Sequence, residues 1–191
     1  MNLSFVVTGE SGTGKLRVAK AIGYELYHNG LISKEAPVVI SPVDYPQFIK
    51  NLDKNEETYG ACVIIVKDAH KLVNDIGGKQ VEQIDCILKY VRNWREDPTK
   101  PVGVFTGLER LKEFFDNNPA TAAEIDYFYD LPSLRVKDMA EITVLLLKRK
   151  YHLAMTEVAK EKLCRIFNND LRHPNEQLRP QGHNAASKAY E

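Results

Sequence analysis

The chain is short of cysteine, has no surplus charge of either sign and contains no long apolar run, and each shortage excludes a class of function. Its three cysteines, Cys62, Cys86 and Cys164, are odd in number, far apart and never in C-x-x-C spacing. That pattern speaks against a disulfide framework and against a zinc site, and reduced, buried thiols of an intracellular protein are expected. Lys plus Arg and Asp plus Glu both number 26, a formal net charge of zero, so bulk charge gives no case for a nucleic-acid or membrane partner. Such a partner would need a local patch. No apolar run approaches the ~20 residues that cross a bilayer, and Met1-Asn2 leads straight into a strand without a basic leader or cleavage site. At 191 residues a cytoplasmic protein with one α/β core and a small helical appendage is expected.

What is present begins with Leu3-Ser4-Phe5-Val6-Val7, an apolar run that reads as a strand. A Gly-rich loop follows, and then Val18, Ala19, Ile22 and Leu26 at helical spacing. Pro37 to Ser41, Ala61 to Val66, Val102 to Thr106 and Tyr127 to Leu131 read as four further strands. The run at 61–66 is apolar throughout, as a strand buried on both faces should be. Between the strands, Gln47 to Leu52, Gln80 to Trp94 and Leu108 to Phe115 have helical texture. Alternating strands and helices imply a parallel sheet with helices on both faces. After Pro132 the texture changes to two helices, Lys137 to Tyr151 and Thr156 to Asn169, with no strand between them. The expected division is therefore an α/β domain over 1–132 and a helical domain over 133–191. The final polar stretch, NEQLRPQGHNAASKAYE, shows no helix-stop signal, so truncation from a longer protein is expected.

The loop Gly9-Glu10-Ser11-Gly12-Thr13-Gly14-Lys15 has the G-x-x-x-x-G-K pattern, placed after a strand and before a helix. In that setting backbone N–H groups and the helix N-terminus face inward and cradle phosphate, and Lys15 reaches the terminal phosphates. The next position ordinarily carries a Ser or Thr hydroxyl for magnesium, and here it is Leu16. A second strand of such a site ordinarily ends in an acidic residue that holds the metal, with a Glu that polarises the attacking water. By register Lys67 stands in the first place and Asp68 in the second. Two departures at one ion leave magnesium without its usual holders, while ATP or ADP stays the expected ligand. Lys67 is also readable as a strand-end lysine reaching solvent.

These motifs, in this order, resemble an AAA+ ATPase module, most closely the group of the red-type rubisco activase CbbX and the sporulation protein SpoVK. The resemblance rests on GESGTGK, on VIIVKDAHKL, on VGVFTGLERLKEFFDNNPA and on DLPSLRVKDMAEITVLLLKRKYHL, and covers almost the whole chain. It implies a P-loop NTPase fold with a five-stranded sheet of order 5-1-4-3-2, a small α-helical lid and a ring of subunits. Within it Thr106 falls at the sensor-1 place near the γ-phosphate. The arginine finger that follows the Asn-Pro segment is missing, since Thr121-Ala122-Ala123-Glu124 offers no Arg. Such a finger is worth ~10³–10⁵ in rate in related NTPases. Gly182-His183-Asn184-Ala185-Ala186 echoes the sensor-2 segment with Ala186 in place of Arg, and Lys188 lies close by. Tyr45, Phe48 and Tyr59 stand where pore-loop aromatics would be, in a segment too short for loop and helix, so packing is their expected role.

Three readings follow. The first is a nucleotide-holding domain with hydrolysis impaired or absent, a scaffold or regulatory subunit beside ring neighbours or inside a longer chain. The second is a working motor of the CbbX and SpoVK type, with Asp68 holding magnesium through water. The third is a clamp-loader-like nucleic-acid-handling subunit, for which Lys148, Arg149, Lys150 and His152 supply a basic cluster that otherwise reads as a solvated helix face. His70 and Trp94 are expected to pack rather than react.

Overall fold

The computed structural model describes residues 3–51, 59–73, 79–91 and 101–172. Five strands, β1 (Ser4–Gly9), β2 (Val38–Ile40), β3 (Val63–Val66), β4 (Val102–Thr106) and β5 (Tyr127–Leu131), form one sheet. Its order is β2-β3-β4-β1-β5 and every pairing is parallel. Read from the other edge this is 5-1-4-3-2, the order that the family resemblance implies. The three inner strands are buried along their whole length, which is why their sequences are nearly continuous apolar runs.

Alternation along those strands divides the core in two. Val7, Val63, Ile65, Val102 and Val104 face α1 (Lys15–His28), which contributes Ala19 and Leu26. Val6, Ile64, Val66 and Phe105 face the opposite layer. That layer holds α2 (Tyr45–Lys50), a 3-10 turn (Ala69–Val73), α3 (Lys79–Val91), α4 (Glu109–Asn117) and the short α5 (Pro119–Ala122). Tyr45 and Phe48 are core residues here, and Phe48 meets Tyr59 at a tilt and Tyr90 edge-on, at centroid distances of 5.6 and 6.2 Å. Packing is therefore what these aromatics do. The edge strand β5 is different in kind, because Tyr127, Phe128 and Tyr129 are all exposed. Two of them are steadied by ring contacts, Phe5 with Tyr127 at 5.1 Å and Phe115 with Phe128 at 5.5 Å.

One expectation is corrected. Cys62 is buried, but Cys86 is exposed and Cys164 is half-buried. Ile84, Ile87, Leu88 and Val91 take the inward stripe of α3, and helical geometry turns position 86 to the other side. Trp94 lies outside the described residues.

The chain divides into two compact units, Met1–Gly9 with Lys15–Leu131, and Glu10–Gly14 with Pro132–Glu191. In the second, α6 (Val136–Tyr151) and α7 (Glu157–Arg172) pack through Met139, Ala140, Leu163 and Phe167. Asp138 accepts from the backbone N–H of Arg135 at 3.0 Å and opens α6. Thr156 Oγ1 accepts from Ala159 N–H at 3.3 Å and opens α7. Lys148, Arg149 and Lys150 are exposed on the last turn of α6, where positive charge complements the helix C-terminus.

Candidate functional site

The loop between β1 and α1 turns on its glycines. Gly12 has φ +83° and Gly14 φ +93°, angles that side chains rarely adopt. A Cβ on Gly14 would meet nothing within 4 Å, so backbone conformation rather than space requires glycine there. Thr13 Oγ1 donates to the Glu10 carbonyl at 2.9 Å and ties the loop to itself. Lys15 is the first residue of α1, and its Nζ donates to the Gly9 carbonyl at 2.9 Å. The ammonium thus rests at the end of the strand, beside the N-terminus of a helix fourteen residues long. That is where a phosphate would collect both N–H donors and positive charge. Leu16 is half-buried and packs on the α1-side core.

The end of β3 is fixed at several points. Lys67 N–H donates to the Ile40 carbonyl at 2.9 Å, extending the ladder by one residue, and the Tyr45 hydroxyl donates to the Lys67 carbonyl. Asp68 then reverses the chain with φ +54°, a left-handed angle that Asp tolerates better than most residues. Burial pushes the Tyr45 hydroxyl pKa up, and the charge on Asp68 adds to the effect. His70 follows, with its Nδ1 accepting the backbone N–H of Leu108 at 3.3 Å. Burial holds the His70 imidazole below its ordinary pKa. Asp68 opposes this, and Lys71, Lys15 and Arg110 reinforce it.

Thr106 ends β4, level with Val7 of β1, two residues or about 7 Å along the strand from Gly9. It is buried, and its hydroxyl donates to the Val66 carbonyl at 3.4 Å. Further along, Thr121 is buried with its hydroxyl 3.4 Å from Asp85, at the stretch where an arginine finger would stand. The sensor-2 echo at 182–186 and Lys188 lie outside the described residues.

The sheet therefore brings the ends of β1, β3 and β4 to one edge, with Lys15, Lys67, Asp68, His70 and Thr106 along it. Sequence reading missed the two clamps that hold this edge, Tyr45 on Lys67 and His70 on Leu108. The His in the β3 turn was a visible signal, but its partner is 38 residues away and no spacing rule reaches that far. A third tie, Thr8 Oγ1 donating to Asp130 at 2.8 Å, also joins residues distant in sequence.

No protein-family model matches the chain. The CbxX protein of Cupriavidus necator is 24% identical over 155 residues, covering 76% of this chain and 48% of that one. The chloroplastic ribulose bisphosphate carboxylase/oxygenase activase of Cyanidioschyzon merolae is 24% identical over 183 residues, covering 91% of this chain and 60% of that one. This chain thus spans about half to three-fifths of the length of these curated relatives. Among solved structures, the Aeropyrum pernix ORC2 protein in its ADP form superposes with TM-score 0.58 at 12% identity, over 97% of this chain and 55% of that one. The FIGL-1 AAA domain in complex with ADP gives 0.56 at 11%, over 98% and 70%. Sheet order, the loop between β1 and α1, and these similarities agree, and the chain has the P-loop fold of AAA+ modules.

Proposed function

We propose that this module holds ATP or ADP in the loop Gly9–Lys15 without turning it over at a motor's rate, and serves as a scaffold or regulatory subunit. Its partners are proteins, either ring neighbours of the same type or further parts of a longer chain. In this reading residues 1–132 form the nucleotide-binding-type part and 133–191 the helical lid. The observation that carries it is the loop itself, with glycines at φ +83° and +93° leading into a helix that opens with Lys15. The ADP bound by two of the structural relatives supports the ligand class by analogy.

The loss of turnover is argued from chemistry. Phosphoryl transfer is catalysed almost wholly by positioning and charge stabilisation. Here Leu16 has no hydroxyl for the metal, Lys67 brings positive charge to the acidic place, and residues 119–125 contain no arginine. Asp68 and Thr106 remain at the edge as the polar groups nearest in kind to a catalytic pair, and they are expected to orient phosphate rather than cleave it. No helix among the described residues is long and apolar enough to cross a membrane.

The test is calorimetric titration of the chain with ATP and ADP, paired with a phosphate-release assay. Saturable binding that Lys15→Ala removes, with no release, is the expected outcome. Release faster than ~10⁻² s⁻¹ that Lys15→Ala abolishes would overturn the scaffold reading.

A further inference from the structure

In this fold magnesium ordinarily accompanies the nucleotide, held by the loop's Ser or Thr and by an acidic residue at the end of the neighbouring strand. The residues here do not fit that ion. The side chain of Leu16 offers no oxygen and packs half-buried against the α1-side core. The only hydroxyl at the end of β4, on Thr106, is buried against the Val66 carbonyl. Among the described residues, no group of three or more His, Cys, Asp or Glu is placed to hold a metal ion.

Lys67 stands where the acid would be, and strand alternation settles its side. Val63 and Ile65 lie in the core under α1, while Ile64 and Val66 lie in the opposite core. The N–H of Lys67 continues the ladder to Ile40, so the period of two carries its side chain to the face that carries α1. Val66 pairs with Phe105, and Val7 with Thr106, which sets Lys67 in the row of Thr106 and Val7. Its backbone is held on both sides, by Ile40 at the N–H and by Tyr45 at the carbonyl.

We infer that Lys67 takes the place of the magnesium ion, and that the loop therefore selects the metal-free nucleotide polyphosphate over its magnesium complex. The inference rests on the reading that the loop binds nucleotide. Two ammonium groups, Lys15 from α1 and Lys67 from the position just after β3, then face the phosphates, and a divalent cation seated beside Lys67 would be repelled by it. Lys67 thereby sets which form of the nucleotide is bound.

The experiment compares ATP titrations in excess EDTA and in excess magnesium, for the whole chain and for Lys67→Gln and Lys67→Asp. Thermal melts run alongside check that each variant is folded. The unaltered chain is expected to bind ATP more tightly in EDTA than in excess magnesium. Lys67→Gln should weaken binding in EDTA by about 10- to 100-fold, the range for loss of a charge-assisted contact. Lys67→Asp should make binding depend on magnesium. If the unaltered chain binds ATP equally well or more tightly with magnesium, or if Lys67→Gln leaves binding in EDTA unchanged, the inference is overturned while the nucleotide reading stands. If ATP binds in neither condition, the nucleotide reading itself falls, and the inference with it. Should Lys67→Asp fail to fold, the ratio for the unaltered chain and the Lys67→Gln result still decide.

Discussion

The backbone N–H of Leu108 donates to the ring Nδ1 of His70 at 3.3 Å, so one imidazole joins the turn after β3 to the turn after β4. A ring nitrogen can accept that bond only while it carries no proton. The bond and the depressed pKa of His70 therefore have the same sense. Since the folded-state pKa lies below the unfolded value, the unfolded chain binds more protons in the interval between them. The contribution of His70 is complete above about pH 6.5 and is lost as the pH falls through the lower, folded value. The thermal midpoint is expected to drop as pH is lowered across this window. In His70→Gln, which keeps an acceptor but does not titrate, the slope there should flatten. An unchanged slope in that variant would mean that protonation of His70 does not set the pH dependence.

Gly107 lies between these partners and is the tightest point of the same edge. A Cβ added there would stand 2.7 Å from Leu111 Cδ2, 2.9 Å from Leu111 Cβ and 3.3 Å from the backbone nitrogen of His70. Leu111 is fully buried and has little room to withdraw. Gly107→Ala is expected to cost about 1–3 kcal/mol as overpacking. Leu111→Ala alone should cost about 2–5 kcal/mol, and the double variant should cost less than the sum of the two. Chemical denaturation of all four chains closes the cycle. Strict additivity would show that the side chain of Leu111 is not what excludes a Cβ at position 107.

The cysteines give an independent check on the packing. Cys86 is exposed, whereas Cys62 is buried, with its thiol pKa pushed up to about 11 by burial, against the lowering influence of Lys34 and of a backbone hydrogen bond. Because the thiolate is the reactive form, a water-soluble disulfide reagent near neutral pH should modify Cys86 quickly. Cys62 should be protected until the chain unfolds. Mass spectrometry of the labelled peptides assigns the sites, and fast labelling of Cys62 in the native chain would contradict the burial of the residue that leads into β3.

Much of this fold can be read from local pattern alone. The inner strands β1, β3 and β4 announce themselves because burial on both faces demands unbroken apolar runs, and β1 with its Gly-rich loop is one contiguous signal. The edge strand β5 could be placed but not its exposure, since Tyr127, Phe128 and Tyr129 look as apolar as a core strand. Position 86 was misjudged because a cysteine's burial depends on which stripe of the helix faces the sheet. At the site, the loop and the substitutions at 16 and 67 were legible as departures from a pattern. The clamps Tyr45 to Lys67 and His70 to Leu108 were not, because they join residues 22 and 38 positions apart through the fold.

Leu16 is the position at which function and stability pull apart. Its side chain packs half-buried on the core between α1 and the sheet, so Leu16→Thr removes apolar contact and is expected to cost about 1 kcal/mol. The new hydroxyl would supply one of the oxygens that a magnesium ion uses in this fold. Lys67 would still bring positive charge to the same place, and no arginine would have been added at 119–125. Leu16→Thr is therefore expected to lower the melting temperature slightly and to show no magnesium-dependent phosphate release. Leu16→Thr combined with Lys67→Asp should tighten magnesium-dependent ATP binding beyond what Lys67→Asp alone achieves. Hydrolysis in the single variant would mean that Lys67 does not obstruct the ion, and that the missing hydroxyl alone had silenced the site.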